Sequence, residues 1–171
     1  RVRRYVSERV SSMHPAYFAM SMATGIVSIA CHLLGLRDLS ALLFWINVPA
    51  YALIWIAMIA RAMVFPRAFL ADWTSHQRGP GFFTSVAATC VLGSQFFLLR
   101  HSPTIAFGLW IFGLVLWVIC TYTVFVALSI REEKPSLGEG INGGWLIAVV
   151  ATQAICVLGC QVLPDRVANR D

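Results

Sequence analysis

Long apolar runs separated by short polar breaks dominate the chain: residues 16–36, 40–60, 82–99, 104–130 and 145–163 each read as one hydrophobic segment. None of the five contains Asp, Glu, Lys or Arg. Crossing a bilayer takes roughly 20 apolar residues as a helix, because hydrocarbon offers no partner to an unpaired backbone N–H or C=O. The pattern predicts an all-α integral membrane protein with five transmembrane helices. It divides the chain into an inner N-terminal segment 1–15, a membrane domain 16–163 and an outer polar tail 164–171.

The breaks predict how the spans are joined. Only Arg37-Asp38-Leu39 separates the first two spans, and Arg100-His101-Ser102-Pro103 the third and fourth, so both pairs read as tight helical hairpins. The other connections, 61–81 and 131–144, are longer. The first of them mixes Phe65, Phe69, Leu70 and Trp73 with Arg67, Asp72, His76 and Arg78, a composition that predicts a segment lying along the headgroup region.

Composition and charge sharpen this picture. Hydrophobic residues make up 58% of the 171 and charged residues 12%, against about 25% charged in a soluble domain. A net charge of +5 raises nucleic acid as a partner, but the thirteen basic residues are spread over every loop, which excludes it. An inner N-terminus puts Arg1, Arg3, Arg4, Arg9, Arg61, Arg67, Arg78, Arg131 and Lys134 inside, and Arg37, Arg100, Arg166 and Arg170 outside. The excess of basic residues on one side predicts a cytoplasmic N-terminus in a multi-pass protein of the plasma membrane, in a bacterium the inner membrane.

An internal repeat emerges when the odd-numbered spans are set under one another. Pro15-Ala16-Tyr17-Phe18 leads to Ala23-Thr24-Gly25, Pro80-Gly81-Phe82-Phe83 leads to Ala88-Thr89-Cys90, and Gly143-Gly144-Trp145 leads to Ala151-Thr152-Gln153. The threonines are 65 and 63 residues apart. Their depth below the aromatic belt, about 10 Å, is the same in each span. Hydroxyls repeated at one depth predict a pore lined by Thr24, Gly25, Thr89, Gly93, Thr152 and Gln153. Its inner mouth would be formed by Phe18, Gly81, Phe83, Gly144 and Trp145. The competing reading makes the threonines packing residues that hydrogen-bond to their own i−4 carbonyls. Gly25, Gly93 and Gly159 suit bending or close approach of the odd helices, while the even spans, rich in Leu, Ile, Val, Phe and Trp, read as a lipid-facing outer ring.

Three motifs then carry a resemblance: His14-Pro15-Ala16-Tyr17-Phe18 with Ala23-Thr24-Gly25, Gly79-Pro80-Gly81-Phe82-Phe83-Thr84, and Asn142-Gly143-Gly144-Trp145 with Val150-Ala151-Thr152-Gln153. From about Met13 to Leu163 the chain resembles the tellurite-resistance/C4-dicarboxylate transporter family, which includes the plant slow anion channels. The resemblance implies a ten-helix protomer of five hairpins around a central pore, often a homotrimer, with the odd helices lining the pore. It implies small anions as cargo: malate and other C4-dicarboxylates, tellurite, sulfite, chloride or nitrate. Five spans are half of that ten-helix fold. The phenylalanine that plugs the family's pore belongs to the ninth helix, so no gate residue carries over. The chain is therefore expected to be a fragment or one half that needs a second half to close the pore. The alternative is a non-transporting helical membrane subunit or a truncated remnant.

Other chemistry finds little support in the sequence. Helix N-termini and glycine-exposed N–H groups at the inner mouth suit weak anion binding. Coupled carriers usually bury a carboxylate or histidine at mid-membrane, and only His32 lies within a span. That favours a channel or uniporter. Cys31, Cys90, Cys120, Cys156 and Cys160 read as free thiols within spans; Cys156 and Cys160 share a helix face but lack a second pair of metal ligands nearby. His32 and His101 could face a haem, yet neither sits in a supporting motif. No cofactor, no metal site, no catalytic residue and no enzyme activity is expected.

Overall fold

Each odd-numbered span begins on a short turn of 3₁₀ helix, at the Gly and Pro breakers that mark the repeat. In the computed structural model, which describes residues 13–130 and 143–168, these turns are Pro15–Tyr17, Gly79–Phe82 and Gly143–Trp145. They lead into α1 (Phe18–Leu33), α4 (Phe83–Arg100) and α6 (Leu146–Ala168); between them lie α2 (Arg37–Val64), α3 (Pro66–Trp73) and α5 (Pro103–Ile130). All but α3 are long and apolar enough to cross a membrane. Readings that concern residues 1–12, 131–142 and 169–171 fall outside the described residues.

The bundle is organised around α4, which touches all four other spans, while α1 pairs with α2 and α5 with α6. Small residues make this central position workable. A Cβ on Gly25 of α1 would come within 2.5 Å of Val91 Cγ1, and one on Gly93 of α4 within 2.4 Å of Leu158 Cδ2 on α6. Each glycine thus accepts a side chain from the neighbouring helix.

A polar seam ties α1, α2 and α4 together. Ser28 and Ser40 donate to each other's carbonyls at 2.9 and 2.8 Å. Deeper in, Ser21 donates to Asn47 Oδ1 and Asn47 Nδ2 donates to Gln95 Oε1, both at 2.7 Å. Such bonds contribute on the order of 1 kcal/mol each within a bilayer, and they fix which faces meet.

Besides α6, which runs on to Ala168 past the span end expected at 163 and into the expected polar tail, element ends differ from the sequence reading in two places. The 37–39 break is the first turn of α2, and the hairpin bends one turn earlier, where Gly35 takes φ 81°. There Leu36 N–H returns to the Cys31 carbonyl and Gly35 N–H to that of His32, a glycine-closed helix end. The other difference is that α2 runs on to Val64, so Arg61 belongs to the span rather than to the connection.

The connection itself contains α3, started by Pro66. Trp73 stacks on Phe82 at 3.8 Å, fastening α3 to the second 3₁₀ turn. Beneath it, Arg61 is only 1% exposed and reaches Asp72 Oδ2 at 2.6 Å, while Arg78 Nε holds Asp72 Oδ1 at 3.2 Å. Arg78 also donates to the Met13 carbonyl at 3.0 Å, which joins this ionic cluster to the first 3₁₀ turn.

Candidate functional site

One groove is lined by the odd-numbered spans alone. It lies over α4 between α1 and α6, with a volume of about 310 Å³, and its walls include Ile26 of α1, Val91 and Ser94 of α4, and Gln153, Val157 and Gln161 of α6. No lining residue comes from α2 or α5, and none is charged. An apolar wall with isolated polar groups interacts with a hydrated ion weakly and at several points rather than at one strong site.

The three 3₁₀ turns gather at one end of the bundle, where the long connections emerge. Gly81 packs against the first turn so closely that a Cβ there would lie 3.1 Å from Ala16 N. Thr84 Oγ1 donates to the Gly81 carbonyl at 2.6 Å and lies 3.2 Å from that of Pro15. His14 caps the first turn, its Nδ1 accepting from Ala16 N–H at 3.1 Å. Partial burial, followed by the charge of nearby Arg78, lowers the His14 pKa below its usual 6.5. That keeps Nδ1 available as an acceptor.

The structure distributes the sequence-selected residues unevenly around the groove. Gln153 lies on its wall. Thr24 donates to its own i−4 carbonyl, Met20 O, at 3.0 Å. Thr89 is 0% exposed, donating to Ser85 O at 2.7 Å and accepting from the Tyr51 hydroxyl at 2.6 Å. Thr152 donates to Ala148 O and accepts from Trp117 Nε1 of α5 at 2.9 Å. Gly25 and Gly93 receive Val91 and Leu158, as described above. At the long-connection end, Phe18 is buried edge-on to Trp55, Phe83 is fully buried, Gly81 meets the first turn, and Trp145, next to Gly144, tilts against Phe125.

Equal depth does not mean equal azimuth, and azimuth is what the threonine alignment leaves open. The groove stripes follow helical spacing: Met22, Ile26 and Ile29; Ala87, Cys90, Val91 and Ser94; Val150, Gln153, Ala154, Val157 and Gln161. Thr89 and Thr152 stand one residue from these stripes, about 100° around the helix. The sequence reading missed Ser94 and Gln161, which the i, i+3, i+4, i+7 pattern through Gln153 and Cys90 would have found.

The family model for voltage-dependent anion channels of the SLAC1 type matches residues 12–171. The chain belongs to this family. It is 26% identical over 161 residues to an uncharacterized transporter of Methanocaldococcus jannaschii, covering 91% of the chain and 46% of the relative. Over 171 residues it is 27% identical to the sulfite efflux pumps of Arthroderma benhamiae and Trichophyton rubrum, covering 94% of the chain and 45% of each pump. The chain thus spans about half the length of these curated relatives. No solved structure matches it. The SLAC1 match agrees with the slow anion channel resemblance carried by the three repeat motifs.

Proposed function

We propose that this chain forms half of an anion-conducting protomer and that the groove over α4 is one wall of its pore. The observation that carries the reading is the restriction of the groove to α1, α4 and α6, the helices that also share the 3₁₀ openings. Ser94, Gln153 and Gln161 supply its polar contacts, while Thr24, Thr89 and Thr152 hold the wall in shape from behind or beside it. A second set of spans closes the groove, and the completed protomer assembles as a trimer. The 3₁₀ turns and the long connections face the cytoplasm, in the plasma membrane.

Passage is by channel or uniport, since the wall offers no fixed charge at which an anion would be trapped or a proton exchanged. Sulfite is the first cargo to test, in view of the fungal relatives, followed by chloride, nitrate, tellurite and C4-dicarboxylates. In liposomes, the completed protein should carry sulfite or one of these anions. Gln153→Leu should reduce the flux by up to about tenfold, the equivalent of one hydrogen bond of roughly 1.4 kcal/mol. Absence of flux for every anion, or indifference to Gln153→Leu together with Gln161→Leu, would reject the reading.

A further inference from the structure

A second cavity, of about 460 Å³, opens at the short-loop end of the bundle between the two hairpin bends. Its lining is balanced between polar and apolar, and it includes His32, Arg37, Trp45, Arg100 and His101. No acidic side chain lines it. The nearest acid in sequence, Asp38, is exposed on the first turn of α2 and does not line the cavity. Among the described residues, none of these four basic or imidazole side chains makes an ion pair or a hydrogen bond. Arg100 instead lies over the Trp45 ring, 5.6 Å from its centroid.

Helix dipoles explain only part of this cluster. His32 and Arg100 stand in the last turns of α1 and α4, where a cation meets the negative end of a helix. Arg37 does not fit that explanation, because it begins α2, where the helix end is positive and a cation is disfavoured. No side chain caps that helix end. His101 is a second anomaly: at φ 49° it is the sole non-glycine residue with positive φ among those described. A left-handed residue at this place closes the end of α4. Here the His101 and Ser102 N–H groups both fold back onto the Phe96 carbonyl, and the turned backbone puts the imidazole on the cavity lining.

We propose that this cavity is an anion-binding site, separate from the groove, that takes an oxyanion between Arg37 and Arg100. The shared chemistry is a phosphate-like group, either free in solution or on the headgroup of an anionic lipid. Guanidinium forks match such groups in pairs. The Trp45 face orients Arg100. The cavity is large enough for a lipid glycerophosphate as well as for a free ion.

The experiment titrates inorganic phosphate calorimetrically into the completed protein, in nanodiscs of phosphatidylcholine alone and of phosphatidylcholine with phosphatidylglycerol. Binding should weaken by about tenfold or more in the Arg37→Gln/Arg100→Gln variant. The exposed Arg67→Gln at the opposite end should leave it unchanged. A phosphate affinity that is the same in both nanodiscs identifies a free anion. An affinity that falls when phosphatidylglycerol is present identifies the lipid headgroup. His101→Gly, which relieves the backbone without touching either arginine, should preserve folding and still weaken binding. Gln153→Leu should have no effect here, so the site and the pore stand or fall separately. If neither phosphate nor phosphatidylglycerol binds, or if the arginine variant binds phosphate as the parent does, the site does not exist.

Discussion

The two arms of one hairpin, α4 and α5, carry opposite solutions to the same environment. The third span is 72% buried at a mean hydropathy of 1.7, and the fourth is 17% buried at 2.2. The more polar helix is the interior one. In water this order would be perverse; in lipid it follows directly, since hydrocarbon solvates Leu and Ile as well as a protein core does. What gains from burial is the small residue that permits close approach and the hydroxyl or amide that needs a partner. Thr84, Ser85, Thr89, Ser94 and Gln95 are all buried on α4, whereas Ile111, Val115, Val118, Ile119 and Phe125 of α5 remain exposed. The groove lies on the α4 side of this division, lined by α1, α4 and α6 and by no residue of α5.

Glycine substitution tests the contrast most strongly. Gly93→Leu would push a side chain into Leu158, whereas Gly108 of α5 has nothing within 4 Å of its Cβ position. Thermal unfolding in detergent should show a loss of about 3 kcal/mol or more for the first and a change within about 0.5 kcal/mol for the second. Equal responses would mean that α4 is not the packed centre.

Hydroxyl removal gives a smaller effect of the same sign. Thr89→Val breaks the link from Tyr51 to the Ser85 carbonyl and should cost about 1–2 kcal/mol, with little change in anion selectivity. Thr123→Val, on the exposed face of α5, should be close to neutral. A selectivity change at Thr89 without loss of stability would return that threonine to the pore lining.

Acidification probes the gathered 3₁₀ turns, and its effect is the smallest. The His14 pKa lies below 6.5 in the folded protein, mainly through burial. Its contribution to stability is therefore complete above the usual 6.5 and is lost as pH falls through the lowered value. Thermal stability should decline on going from about pH 7 to about pH 5, and less so in His14→Asn, which keeps a capping acceptor that does not titrate. An identical decline in both proteins would remove His14 from this role.

Much of this architecture was legible in the sequence because lipid imposes a simple rule on length and charge. The five spans, the hairpins and the Gly/Pro openings of the odd helices follow from that rule and from the repeat. The candidate site was less legible. The spacing of Thr24, Thr89 and Thr152 reports depth, yet whether a side chain faces the groove or a neighbouring helix depends on rotations of about 100° per residue, set by contacts such as Gly25 with Val91. Partners far apart in sequence, such as Asn47 with Gln95 or Arg61 with Asp72, leave no periodic signal at all.

Thiol modification in the completed, cysteine-free protein tests the pore wall most directly. Val157 lies on the groove and Val118 on the outward face of α5, and both are exposed in this chain. A membrane-impermeant anionic methanethiosulfonate should slow anion flux through Val157→Cys and leave Val118→Cys unaffected. Flux that persists undiminished after modification at position 157, or that is blocked at position 118, would contradict the assignment of the groove as the pore wall.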